Sequence, residues 1–285
     1  MMKPYISLFK KSIEKFWWLH KPLVFKNNKF RNIHVGETCY IISNGGSLKF
    51  YDISKIPNLP TIVCSYSLID NRLKDIDVRY FFQTDSYLNY PILFNTYPHV
   101  RKFQKNRVKP VFAKIFKDNR HVNIFTNITN FYSTLCRRKN IYYYYHFGDR
   151  LSNSYDLSGN FSQASGALDI MLGAAKYFGF KKAILLGCDY LGSPPVMGHF
   201  YADYKPYSGE YLEEYCERVR RVSDGIDIVV VLPEGVTAPG FDYTSYESFF
   251  GLEKQYCKNF EFIDDEYIDL LRLAHDSTQT IMKEE

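Results

Sequence analysis

The stretch from Ser162 to Tyr190 constrains the fold of this chain more than any other. Ser162-Gln163-Ala164-Ser165-Gly166 is small and polar, and Ala167, Ile170, Met171, Ala174, Ala175 and Phe178 then recur at helical spacing. Gly179 stands where a left-handed cap would end such a helix. Lys181-Lys182 lead into Ala183-Ile184-Leu185-Leu186, an apolar run that stops at Gly187-Cys188-Asp189-Tyr190. A helix followed at once by a short, continuously apolar strand belongs to a parallel sheet with helices on its faces. The spacing predicts a helix over 167–178 and a strand over 183–186.

Three earlier runs share that grammar. Thr38-Cys39-Tyr40-Ile41-Ile42 ends in Ser43-Asn44-Gly45-Gly46-Ser47-Leu48; the run from Thr61 to Tyr66 follows Pro60; Val78 to Gln83 ends at Thr84-Asp85-Ser86. Each is a buried strand with small polar residues at its carboxyl end, the edge on which open α/β sheets bind ligands. Further strands are expected at Ile141–His146, Ile226–Leu232 and Phe260–Ile263, with helices at 210–221 and 267–274. Residues 90–150 otherwise show no clear period. Residues 190–210 are rich in Gly, Pro and Tyr, the composition of a lid. The fold class expected is α/β: a Rossmann-like, mostly parallel sheet with helices on both faces, as one domain over 35–285 with a lid at about 190–210.

Residues 1–34 stand apart. Seven lysines are interleaved with Phe9, Phe16, Trp17, Trp18, Leu19 and Phe25, and Ile6, Phe9, Ile13, Phe16 and Trp17 recur at helical spacing. Such a segment either lies on an anionic membrane surface or packs as a helix on the domain. It is no signal peptide, because Lys10, Lys11, Glu14 and Lys15 interrupt any apolar core, and no run of 18 or more apolar residues exists. The six cysteines are scattered without zinc spacing, which points to a reducing compartment. A net charge of +5 without a long basic block favours anionic partners mildly and argues against nucleic acid.

Three constellations could carry chemistry. Asn44, Gly45, Gly46 and Ser47 form a Gly-rich turn that could bring backbone amides against a phosphate, or be an ordinary strand-to-helix turn. Ser165 and Gly166 open a helix whose free N–H groups suit an anion, or simply cap it. His199, in Gly198-His199-Phe200-Tyr201, is a candidate general base for a hydroxyl, or a solvated loop residue. Asp75-Ile76-Asp77 is a DxD by letters alone and precedes a strand, so no metal is expected. No GxSxG elbow is present.

Taken as a set, these segments resemble the bacterial sialyltransferases of glycosyltransferase family 42. Ser43-Asn44-Gly45-Gly46-Ser47-Leu48 is similar to that family's Gly-Asn-Gly-Pro-Ser-Leu turn, and Tyr51 to Pro57 to the aspartate-containing stretch beside it. Ala164-Ser165-Gly166, the helix, Gly179-Phe180-Lys181 and Gly187-Cys188-Asp189-Tyr190 follow the order of its second hallmark, with a histidine-bearing lid next. The likeness covers about residues 38–90 and 160–235. It implies a GT-A-like variant of the α/β fold and a metal-independent, inverting transfer from a CMP-activated acidic sugar, without other cofactor, to a glycan or glycolipid acceptor. His199 would deprotonate the acceptor. Tyr201, Tyr204 or Tyr207 would stabilise the leaving phosphate. Asn44, Gly45, Gly46, Ser47, Ser65, Asp85, Ser165, Gly166, Asp189 and Tyr190 would line the donor site.

The chain departs from the family pattern at Cys64-Ser65-Tyr66-Ser67, at Thr84-Asp85 and near Ser162, so the donor sugar is open between sialic acid, Kdo and another nonulosonic acid. The expected place is the cytoplasm, with the basic aromatic N-terminus holding the protein against the inner membrane, and homo-oligomers stay open. Two other functions share this sheet grammar: an ATP-dependent pterin pyrophosphokinase-like enzyme and a non-catalytic nucleotide- or glycan-binding protein.

Overall fold

The computed structural model describes residues 19–84, 108–131, 138–145, 154–159, 161, 166–195, 198–201, 212–255 and 261–272. Eight strands form one sheet: β1 (Thr38–Ile42), β2 (Thr61–Cys64), β3 (Val78–Gln83), β4 (Asn123–Asn127), β5 (Ile141–Tyr144), β6 (Lys182–Leu186), β7 (Asp227–Leu232) and β8 (Asp242–Ser245). Their order is β5-β4-β3-β2-β1-β6-β7-β8. Every pairing is parallel. From β1 the chain first builds outward through β2 to β5, then returns to the other side of β1 as β6. That reversal leaves a crevice at the carboxyl ends of β1 and β6, where open parallel sheets hold ligands.

The central strands are buried on both faces, so alternate residues belong to two cores. Tyr40, Ile42, Val63, Phe81, Ile124 and Ile184 face one core, which is closed by α2 (Lys109–Asp118) and α5 (Tyr246–Phe250). Cys39, Ile41, Ile62, Phe82, Phe125 and Leu185 face the other, closed by α3 (Ala167–Phe178) and α4 (Glu213–Val222). α3 has the predicted span, and Gly179 ends it at φ 92°. Gly179 N donates to Lys176 O at 3.0 Å. A last helix occupies 265–272.

The predicted strand at Phe260–Ile263 does not form among the described residues. Residues 261–262 are a turn, and Ile263 makes a single bridge to Asp70. Two aromatic side chains in four residues mimic a strand there, but Phe262 is spent on the guanidinium of Arg72, 3.9 Å from its ring centroid.

The described part of the chain before β1 packs against the body. A helix over 19–25 (α1) runs into a tight turn over Lys26–Phe30, and His20, Val24, Asn27, Phe30 and His34 are buried. Asn27 Nδ2 donates to Tyr143 O and Leu157 O, both at 2.7 Å, and thereby covers the outer carbonyl of edge strand β5. His34 stacks on Phe180, with Nε2 2.7 Å from the Tyr80 hydroxyl. Residues 1–18 lie outside the described residues.

Candidate functional site

The crevice predicted by the strand order is a cleft of about 330 Å³. Ser43, Asn44 and Gly45 come to it from the end of β1, Cys64 and Ser65 from β2, and Gly187, Cys188 and Tyr190 from β6. Gly166, Ala167 and Leu168 enter at the N-terminus of α3, Leu212 and Tyr215 at the start of α4, and His199 covers one side. The two turns singled out by sequence, after Ile42 and before Ala167, therefore meet in one pocket.

Backbone pairing sets the first turn. Ser43 N donates to Leu186 O and Gly45 N to Gly187 O, both at 2.9 Å, so the β1–β6 ladder continues past both strands. A Cβ on Gly45 would collide with Asp189 Oδ2 and Gly187 O, so only glycine fits. Gly187 sits at φ 62°, and its N–H donates to the Tyr246 hydroxyl at 3.1 Å. Beneath the turn, Asp189 accepts from Ser47 N at 2.7 Å and Ser47 Oγ at 2.5 Å. Burial pushes the Asp189 carboxyl up to about 6 against the opposing pull of those two bonds. Ser47 and Asp189 are fully buried and, like Gly46, do not line the cleft; they brace its wall.

Polar groups on the lining are held for use. Asn44 Oδ1 accepts from Ser67 Oγ at 2.7 Å, which orients the amide, and Asn44 O accepts from Phe200 N at 3.1 Å. Ser65 holds φ 52°, a left-handed backbone uncommon outside glycine and costly for a serine, at the cleft mouth. Gly166 is extended, and no side chain among the described residues caps the helix it precedes, so among them the first N–H groups of α3 have no side-chain partner. No Asp, Glu, Lys or Arg lines the cleft among the described residues. An anion in the cleft would meet these helix N–H groups and the partial charge behind them.

His199 is the one titratable imidazole lining the cleft among the described residues. Its backbone bridges to Gly45 and its ring stacks on Tyr201, centroids 5.0 Å apart and 13° from parallel. Nδ1 is buried with no hydrogen-bond partner among the described residues. Burial holds the imidazole below its ordinary value, and the Asn44 backbone opposes that shift. Tyr201 packs edge-on to Tyr66 at 5.1 Å and does not line the cleft. Asp85, Ser165, Tyr204 and Tyr207 lie outside the described residues, as does most of the expected lid.

Sequence reasoning missed Ser67, Tyr215 and Leu212. Ser67 lies only two residues beyond Ser65, and its role follows from a bond across 23 residues of sequence. Tyr215 starts a helix that reads as merely charged, Glu213-Glu214-Tyr215-Cys216-Glu217, and the Arg218–Asp169 ion pair at 2.8 Å holds that helix to α3. Burial pushes the Tyr215 phenol well above its usual range, so it enters the cleft as a neutral hydroxyl. No group of three or more His, Cys, Asp or Glu that could hold a metal ion is found among the described residues.

No protein-family model matches the chain. No curated protein matches it. Among solved structures it is similar to the monofunctional alpha-2,3-sialyltransferase Cst-I from Campylobacter jejuni, at 16% identity over 85% of this chain and 95% of that one, with a TM-score of 0.38. It is also similar to the sialyltransferase CstII from Campylobacter jejuni in complex with CMP-3FNeuAc, at 14% identity over 83% of this chain and 99% of that one, with a TM-score of 0.44. CstII in complex with cytidine-5'-monophosphate gives 16% identity over 84% and 99%, with a TM-score of 0.43.

Proposed function

We propose that this chain is an inverting glycosyltransferase that moves an acidic sugar, a sialic acid or a related nonulosonic acid such as Kdo, from a CMP donor to a hydroxyl of a surface glycan. One observation carries the proposal: a buried imidazole whose Nδ1 has no partner among the described residues sits in the same cleft as a helix start with no side-chain cap among them. Transfer from a nucleotide-activated sugar needs both parts. A phosphate leaves, and the α3 N–H groups suit its charge. A hydroxyl attacks, and a neutral imidazole suits its proton.

In the proposed step the acceptor oxygen attacks the anomeric carbon from the face opposite CMP. Nδ1 of His199 takes the hydroxyl proton, the new carbon–oxygen bond forms, and the bond to the phosphate breaks with its electron pair leaving on CMP. The ring of Tyr201 against His199 fixes the imidazole plane. Hydroxyls at Tyr190 and Tyr215, both kept protonated by burial, are donors at hand for the departing charge.

The pH profile follows from the direction of the His199 shift. The base must be neutral, and its value lies below the ordinary 6.5, so kcat/KM falls as pH drops through that lowered value and is flat by about pH 7. A single acid limb centred above pH 7 in the measured profile contradicts the assignment. The step as written has no place for a metal. Turnover in excess EDTA therefore equals that in untreated buffer, and complete loss restored by Mg²⁺ or Mn²⁺ overturns metal independence.

The decisive experiment is direct. Purified chain is incubated with CMP-activated sialic acid or CMP-Kdo and glycan acceptors, and release of CMP is followed with the anomeric configuration of the product. Inverted product supports the proposal. Nucleotide binding without turnover over the donor panel leaves a non-catalytic binding protein.

A further inference from the structure

We propose that α1 and the turn after it form a docking face for an anionic bilayer. Charge distribution is the first observation. Residues 1–36 carry eight lysine and arginine side chains against the single Glu14, a net +7. The whole chain carries +5, so the remaining 249 residues together carry −2. All of the positive surplus thus lies in one eighth of the chain, and no acidic residue occurs between Glu14 and Glu37.

The structure shows which of these residues are free to meet a surface. The stripe His20, Val24, Asn27, Phe30 is buried and pins the segment to the body. Opposite it, Leu19 is 71% exposed and Phe25 59% exposed, two large apolar side chains left in water. Lys21 and Lys26 are exposed on the same segment, and neither has an acidic partner among the described residues. Lys29 and Arg31 are committed elsewhere, to the Tyr142 hydroxyl at 2.6 Å and to Asp156 at 2.8 Å. An amphipathic surface of leucine and phenylalanine flanked by unpaired lysines suits the boundary between lipid headgroups and acyl chains. A nucleic acid would satisfy the lysines and leave Leu19 and Phe25 exposed.

Position completes the argument. The ring of His20 packs on Phe131 at 5.0 Å, and Phe131 follows the carboxyl end of β4. α1 therefore starts at the rim of the sheet on which the cleft opens. At the other end of the segment, Gly36 N donates to Gly179 O beyond the C-terminus of α3. A bilayer against α1 brings lipid-borne acceptors to the cleft side. This inference is independent of the sugar transferred.

The test is co-sedimentation of the full chain with vesicles of phosphatidylcholine mixed with phosphatidylglycerol, against pure phosphatidylcholine. Partition onto the anionic vesicles is expected to be at least about tenfold stronger, and to weaken as salt is raised. Lys21→Glu with Lys26→Glu lowers it about tenfold or more, and Leu19→Ser with Phe25→Ser lowers it at constant salt dependence. Circular dichroism and Tm of both variants match the parent, and turnover on a water-soluble acceptor is unchanged. Equal partition of the unsubstituted chain onto both vesicle types overturns the proposal. So does full partition of both folded variants, or preference for a single-stranded RNA oligonucleotide over the anionic vesicles.

Discussion

His199→Ala abolishes transfer while leaving affinity for CMP within a few-fold of the parent. The imidazole is the general base of the proposed step, and such bases contribute roughly 10²–10⁴ in rate. Its removal should not disturb the donor site, because what holds His199 in place is main chain. The bridge to Gly45 and the Phe200 N–H to Asn44 O both survive the substitution. The groups suited to phosphate, at the start of α3, also belong to the backbone. Single-turnover rates with calorimetric CMP titration separate the two terms. Turnover near the parent level removes His199 from the mechanism. A parallel loss of CMP affinity would recast it as a ligand contact.

Arg72→Met lowers stability by about 3–5 kcal/mol, the range for breaking a buried ion pair from one side. Tm then falls on the order of 10 °C for a domain of this size. Arg72 is 5% exposed and uses its whole fork. Nε and Nη2 donate to the two oxygens of Asp70 at 2.9 and 2.6 Å, and Nη1 donates to Leu48 O at 2.9 Å and Tyr51 O at 2.6 Å. Leu48 and Tyr51 directly follow the turn that walls the cleft, so the substitution strands a buried carboxylate and frees that wall together. CMP affinity falls with stability. Pairing the change with Asp70→Leu recovers part of the Tm, since no charge is then left alone in the core. A single variant that melts with the parent, or a double variant no better than the single, rules out this account.

How much was legible depended on whether a residue's neighbours in sequence were also its neighbours in space. β1 and β3 came out with the predicted bounds, as did α3, because burial on both faces writes a continuous apolar run and helix burial writes a period of 3.6. α2 was missed although Val111, Phe112, Ile115 and Phe116 are its buried face. Pro110 reads as a breaker in sequence, yet it stands in the first turn, where no N–H is needed. β4 was missed because Asn123-Ile124-Phe125-Thr126-Asn127 is mostly polar, with Thr126 and Asn127 fully buried between β3 and β5. β8, Asp242-Tyr243-Thr244-Ser245, is an edge strand that only its ladder with β7 makes extended.

The candidate site divides along the same line. Asn44 and Gly45 could be named from a strand end, because parallel strands deliver their carboxyl-terminal turns to one edge; Gly166 could be named from a helix start, His199 from its loop, and Ser65 and Tyr190 only through the family resemblance. Which residues face the cleft and which support it could not. Ser47 and Asp189 lie 142 positions apart, and only folding shows that they saturate each other beneath the turn. Ser67 and Tyr215 enter through contacts that no local pattern records. Sequence by itself determined the class of sheet and the edge where chemistry would gather, since both follow from local burial periodicity. Tertiary structure alone decided the strand order, the crevice between β1 and β6, and the roles of individual polar groups, since these depend on pairings between distant segments.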